Sequence, residues 1–127
     1  MSIILDTNAY SDFMRGIPAR VRVVRMVERI HVPLIVLGEL RAGFAAGGRE
    51  EENLETLRKF LASPRVEVLS PDETTTEHYA RIFVQLRQKG KAIPTNDLWI
   101  AALTRQHDLD LCSSDAHFEH VEGLRLC

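Results

Sequence analysis

Asp6, Glu39, Asp97 and Asp115 are four carboxylates whose positions in the chain suit a shared site. Carboxylates crowded together repel one another, and their pKa values rise unless a cation sits among them. Oxygen-only ligands select a hard divalent ion, Mg²⁺ or alternatively Mn²⁺, that keeps several waters in an octahedral shell. Water on such an ion ionises more readily, and the ion neutralises charge building on a phosphoryl group during in-line displacement. The chemistry expected of the set is phosphodiester hydrolysis by a metal-activated water.

The elements that must position these acids follow from pattern and punctuation. Residues 2–5 are a short apolar run halted by Asp6-Thr7-Asn8, which reads as a buried strand meeting helix-capping residues. Gly16-Ile17-Pro18 interrupts the short helix that follows, and residues 19–29 read as a second helix. Residues 30–32 suit a strand. Pro33 suits the first turn of a helix that carries Glu39 about two turns in and ends at Gly47-Gly48. Residues 50–61 form an acidic-started helix, 66–69 a strand, and Ser70-Pro71-Asp72-Glu73 a helix start in which Ser70 or Asp72 is the cap. A helix over 95–107, a strand over 109–113, a helical turn over 115–119 and a strand over 123–126 complete the chain. Strands alternating with helices predict a parallel α/β sheet.

In such a fold helices start near the carboxyl ends of strands and the chain returns to that same edge. Asp6 ends the first strand, Asp97 opens a helix, and Asp115 follows the next strand. The 18 residues from Asp97 to Asp115 fit one helix, a turn and a short strand. Glu39, in the opening turns of its helix, belongs near the same edge, so all four acids are expected to converge.

Bulk properties bound the rest. With 127 residues, 45% hydrophobic and 27% charged, a single soluble globular domain over residues 1–127 is expected, with a core that needs no metal or disulfide staple. A net charge of -2 and a pI near 6.2 give no global basic field, so contact with a polyanion must be local. No apolar stretch approaches the roughly 20 residues of a membrane span, and the N-terminus lacks a basic region before its apolar run, so a cytoplasmic protein is expected. In that compartment, without Cys-x-x-Cys spacing, Cys112 and Cys127 are expected to be free thiols, with Cys112 filling the core.

Leu5-Asp6-Thr7-Asn8, Gly38-Glu39-Leu40, Asn96-Asp97-Leu98-Trp99-Ile100-Ala101-Ala102 and Ser113-Ser114-Asp115-Ala116-His117-Phe118, taken together and in this order, resemble the PIN-domain nucleases. The nearest likeness is to VapC-type toxins of bacterial toxin–antitoxin pairs, and it spans essentially the whole chain. The resemblance implies a PIN-like three-layer sandwich, with a central, mainly parallel β-sheet flanked by helices. It also implies a Mg²⁺- or Mn²⁺-dependent endoribonuclease. Asp6, Glu39, Asp97 and Asp115 would hold the metal, with Thr7, Asn8 and Ser113 orienting them. Ser113 stands where the family usually has Thr, keeping the hydroxyl without the methyl. A homodimer and a VapB-type antitoxin that occupies the cleft are further implications of the likeness.

Simpler readings exist for each residue. Asp6, Asn8, Asp97 and Asp115 taken singly suit helix caps or dipole partners, whereas Glu39 lies too deep in its helix to cap it and needs another partner, a metal or Arg41. His117 and His120 have i, i+3 spacing but no third zinc ligand in sequence, so solvated or half-buried histidines are expected. Trp99 is assigned to packing. Arg20, Arg22, Arg25 and Arg29 read as a solvated basic face, and Lys89 and Lys91 are better placed to guide RNA. An aspartyl-phosphate enzyme using Asp6 lacks a lysine after a late strand. A catalytically inactive RNA- or protein-binding module of the same fold is the remaining alternative.

Overall fold

The computed structural model describes residues 1–127. The chain runs β1 (Ser2–Leu5), α1 (Thr7–Met14), α2 (Pro18–Met26), β2 (Arg29–Pro33), α3 (Leu34–Ala46), α4 (Glu50–Leu61), β3 (Val66–Leu69), α5 (Glu73–Gln88), α6 (Thr95–Gln106), β4 (Asp110–Cys112), a 3₁₀ turn (Ala116–His120) and β5 (Arg125–Leu126). The five strands lie in the order β3-β2-β1-β4-β5 and every pairing is parallel. The expected α/β sandwich is therefore present, with a wholly parallel sheet.

Side chains on a strand alternate between faces, and β1 shows how that builds three layers. Ile4 joins Val32 and Leu111 in a core with Val36, Ile82, Ile100 and Leu103 from α3, α5 and α6. Ile3 and Leu5 point the other way, into a smaller core with Ala9, Val24 and Val27 from the α1–α2 side. Trp99 packs its ring on Tyr79, centroids 4.5 Å apart, joining α6 to α5 as packing predicts. The α5 start resolves in favour of Asp72: its carboxylate accepts from the Thr75 N–H at 3.0 Å, and the buried Thr75 hydroxyl accepts from the Asp72 N–H at 2.9 Å.

Three expectations need correcting. The second helix ends at Met26, and Arg29, expected within it, opens β2. Pro33 closes β2 and precedes α3 instead of lying in its first turn, because its backbone is still extended and in register with Leu69 of β3. The cysteines are not free: Cys112 and Cys127 form a disulfide, Cα atoms 4.7 Å apart. The cause is strand pairing. Leu111 lies in register with Leu126, and the Cys127 N–H donates to the Leu111 carbonyl at 2.9 Å, which sets Cys127 beside Cys112. No helix is long and apolar enough to cross a membrane.

The strand order places the functional edge. From β1 the chain moves outward through β2 to β3, then crosses to β4 on the other side of β1, so the order reverses between β1 and β4. In open parallel sheets, helices leave in opposite directions at such a point and a crevice opens beyond the strands' carboxyl ends. Leu5 and Cys112, the last residues of β1 and β4, are in register there.

Candidate active site

Asp6 follows Leu5 directly into that crevice. One of its oxygens caps α1 by accepting from the Ala9 N–H at 2.8 Å, and the other accepts from the Ser113 hydroxyl in a short hydrogen bond. The simple capping reading is thus true of half the carboxylate. The residue is only 4% exposed, and no basic group pairs with it directly. Ser113 follows β4, and its oxygen also accepts from the Asp115 N–H at 2.9 Å, so one hydroxyl fixes two acids. Asp115 in turn caps the 3₁₀ turn by accepting from the His117 N–H at 3.0 Å.

Glu39 arrives from the second turn of α3. Its two oxygens accept from the Thr7 hydroxyl at 2.7 Å and from the Asn96 side-chain amide at 3.5 Å. Arg41, the cation the sequence offered it, is exposed and makes no ion pair with it. Asp97, third residue of α6, need not cap the helix, which begins behind Pro94 without a side-chain cap. Its carboxylate instead meets the His117 ring, with Nδ1 2.9 Å from Oδ2. The same Nδ1 lies 3.1 Å from Asp115 Oδ1. The result is a circuit: Asp6, Ser113, Asp115, His117 and Asp97 are linked in turn, and Thr7 and Asn96, the neighbours of Asp6 and Asp97, are bridged by Glu39. The four acids come from separate elements at this edge: Asp97 and Asp115 stand with His117 at ligand distance of one another, and Asp6 and Glu39 are joined to them through Ser113, Thr7 and Asn96.

Of the supporting residues, Thr7 and Ser113 touch the acids, whereas Asn8 is exposed and its side chain makes no hydrogen bond to them. Asn96 and His117 are additional members. Asn96 was visible only as the residue before Asp97. His117, expected to be solvated or half-buried, is half-buried, and it is held at the acids because its backbone N–H is the one Asp115 caps. Arg20 also departs from expectation: it turns partly inward, donates to the Cys127 carbonyl at 3.2 Å, and its charge lowers the Asp6 pKa somewhat, while Arg22, Arg25 and Arg29 are exposed. Lys89 is engaged with the His120 carbonyl at 3.3 Å and Glu122 at 3.6 Å, leaving Lys91 exposed on the approach to α6.

Burial raises the Asp6 carboxyl above its usual range, against the hydrogen bonds from Ser113 and Ala9, and the Asp115 charge adds to the rise. Burial likewise raises Asp97, opposed by the His117 hydrogen bond and reinforced by Asp115 and Glu39. His117 is raised, chiefly by its hydrogen bond to Asp97 and further by the charges of Asp115 and Asp97. The sign for stability follows. A group whose folded pKa is raised stabilises the fold below its unfolded pKa, and that contribution disappears as pH climbs through the folded value. In chelator, Asp6→Asn is therefore expected to match or fall below the native chain near pH 4 and to become the more stable of the two as pH rises to 7. Thermal unfolding across that range checks this, and parallel curves for the two proteins would contradict it.

Comparison with known proteins gives the family likeness of the whole chain. A PIN-domain family profile matches residues 3–124. Ribonuclease VapC1 of Haemophilus influenzae is 31% identical over 80% of this chain and 77% of that protein. The plasmid stability protein StbB of Pseudomonas syringae pv. tomato is 32% identical over 98% of this chain and 95% of its own length. Among solved structures, a chain of VapBC2 from Rickettsia felis, bound to a DNA fragment from the promoter, superposes with a TM-score of 0.89 at 27% identity, covering 100% of this chain and 98% of that one.

Proposed function

This chain belongs to the PIN-domain family, and we propose that residues 1–127 act as one nuclease domain: a Mg²⁺- or Mn²⁺-dependent endoribonuclease, the toxin of a toxin–antitoxin pair. The observation that carries the reading is the circuit of four acids from four elements at the reversal point of the sheet. The relatives named ribonuclease VapC supply the substrate class, RNA, and the neighbouring VapBC structures supply the partner, a VapB-type antitoxin. A homodimer and a cytoplasmic setting complete the proposal.

The donor set fits a divalent ion. Asp6 is nearly buried with no ion pair, and Asp97, Asp115 and His117 each offer a ligand atom within 4.8 Å of the others. Asp6, Glu39, Asp97 and Asp115 would hold the ion. When bound, it supplies positive charge for the transferring phosphoryl group and a lowered pKa for water. The remaining work belongs to the chain. Thr7 and Asn96 hold Glu39 toward the other acids, and Ser113 fixes the orientation of Asp6 while locking the backbone at Asp115. Those bonds set the carboxylates before substrate arrives, so no side-chain ordering is required in the reacting complex. Lys91 offers a local positive charge for the RNA backbone in a chain of net charge -2.

The test is digestion of a mixed RNA pool by the purified chain with Mg²⁺ or Mn²⁺, followed by mapping of the new ends. Cleavage is expected with metal and is expected to vanish with chelator or with Asp6→Asn. Cleavage that survives both controls would overturn the mechanism, and no cleavage under any condition would favour a binding module. Ser113→Ala is expected to lower cleavage about 10–100-fold, the usual effect of removing a group that orients a ligand, while Ser113→Thr retains activity. Equal rates for Ser113→Ala and the native chain would show the hydroxyl to be dispensable.

A further inference from the structure

We propose that His117 is a nitrogen ligand of the metal centre, beside Asp97 and Asp115, and that it tilts the site toward first-row transition ions over Mg²⁺. The proposal rests on the reading that the carboxylates hold a divalent ion, and it concerns a residue outside the four acids.

Three observations support it. His117 Nδ1 faces the carboxylates, 2.9 Å from Asp97 Oδ2 and 3.1 Å from Asp115 Oδ1. Donors on adjacent corners of an octahedron with bonds of about 2.1 Å stand about 3.0 Å apart, so these separations suit neighbouring ligands on one ion. The backbone that carries the imidazole is also held in place: its N–H is bonded to Asp115 and the next residue, Phe118, is 1% exposed in the core. The ring therefore starts from a fixed point beside the acids it faces. Lastly, the chemistry is selective. Oxygen and water serve Mg²⁺ and Mn²⁺ alike, whereas imidazole suits later first-row ions such as iron, nickel and zinc, so replacing one oxygen donor by nitrogen favours those ions, and Mn²⁺ serves as the paramagnetic probe of the nitrogen.

The competing role for the same atom is that of a hydrogen-bond donor that keeps the acids apart from solvent and leaves when an ion enters. Nδ1 cannot donate a proton to the carboxylates and coordinate an ion together, so the two roles are separable by experiment. The full-length chain, native and as His117→Gln, is loaded with Mn²⁺ alone and studied by pulsed electron paramagnetic resonance, with ¹⁵N-histidine labelling to identify the nitrogen. Affinities for Mn²⁺ and Mg²⁺ are measured by titration calorimetry, and circular dichroism checks the fold.

The expected result is a histidine nitrogen coupling on Mn²⁺ in the native chain and its loss in His117→Gln. Mn²⁺ affinity should fall by at least about 10-fold in that variant, with a smaller change for Mg²⁺. Mn²⁺ bound without nitrogen coupling, or bound equally by native chain and variant, would overturn the proposal alone. If neither ion binds, or if binding survives both Asp97→Asn and Asp115→Asn, the carboxylate reading fails as well. Should His117→Gln misfold, the spectrum of the native chain decides by itself.

Discussion

Asp97→Asn is expected to reduce metal-dependent RNA cleavage by more than about 100-fold while leaving the far-ultraviolet circular dichroism of the chain unchanged. The lower bound follows from comparison: residues that merely support a ligand typically contribute 10–100-fold, and a ligand itself should contribute more. The substitution preserves shape and removes charge. Asn can still meet His117, and α6 does not rely on Asp97 as its cap, so the fold loses little. The half-buried carboxylate is moreover held above its usual pKa by burial and by Asp115 and Glu39, so neutralising it relieves repulsion in the metal-free chain. Activity and stability should therefore move in opposite directions, with cleavage collapsing while the unfolding midpoint in chelator stays level or rises. Asp115→Asn should behave alike, since an amide oxygen can still accept the His117 N–H. Calorimetric titration with Mn²⁺ and thermal unfolding of each variant check both halves. A variant that loses activity and stability together, with metal affinity intact, would mark Asp97 as structural.

That outcome depends on geometry that was largely legible in the sequence. Asp6 could be placed because an apolar run stopped at it, and Asp115 because it followed another such run. A parallel sheet then forces both to one edge. Glu39 stood out by elimination, too deep in its helix to cap it. What could not be read was anything set by contacts between distant short elements. β5 is only two residues long, so neither its pairing with β4 nor the disulfide that pairing creates has a local signature. Compartment arguments spoke for free thiols, and proximity overruled them. His117 was hidden for a related reason. Its spacing to His120 suggested a histidine pair, whereas its partners are carboxylates, one of them 20 residues earlier on α6. The capping roles also proved compatible with the site. Asp6 and Asp115 each spend one oxygen on a helical turn, and those caps orient them together with Ser113.

Phe118→Ala is expected to destabilise the chain by about 3–5 kcal/mol, the usual range for deleting a buried aromatic ring. Set against a total stability of roughly 5–15 kcal/mol for a domain of this kind, that is a large fraction. Phe118 is among the largest fully buried side chains, 1% exposed, and it packs in the core formed with α3, α5 and α6. Its importance to the site comes from its place in the chain. The 3₁₀ turn of Ala116–His120 is short, carries Asp115 at its start and His117 within it, and has Phe118 as its one buried residue. Without the ring, the turn keeps the Asp115 cap, the flanking contact of Val121 and polar ties to Ser113, Gln85 and Lys89, but loses its one buried apolar anchor, so Asp115 and His117 are held less firmly. Metal affinity should accordingly fall in Phe118→Ala although no ligand has been changed, and a milder Phe118→Leu should lose less of both properties. Urea unfolding measured with and without Mn²⁺ separates the effects. The gap between the two curves, which reports how much the ion stabilises the folded chain, should shrink in Phe118→Ala. A loss below about 1 kcal/mol with the gap unchanged would show that the turn holds its position by other means.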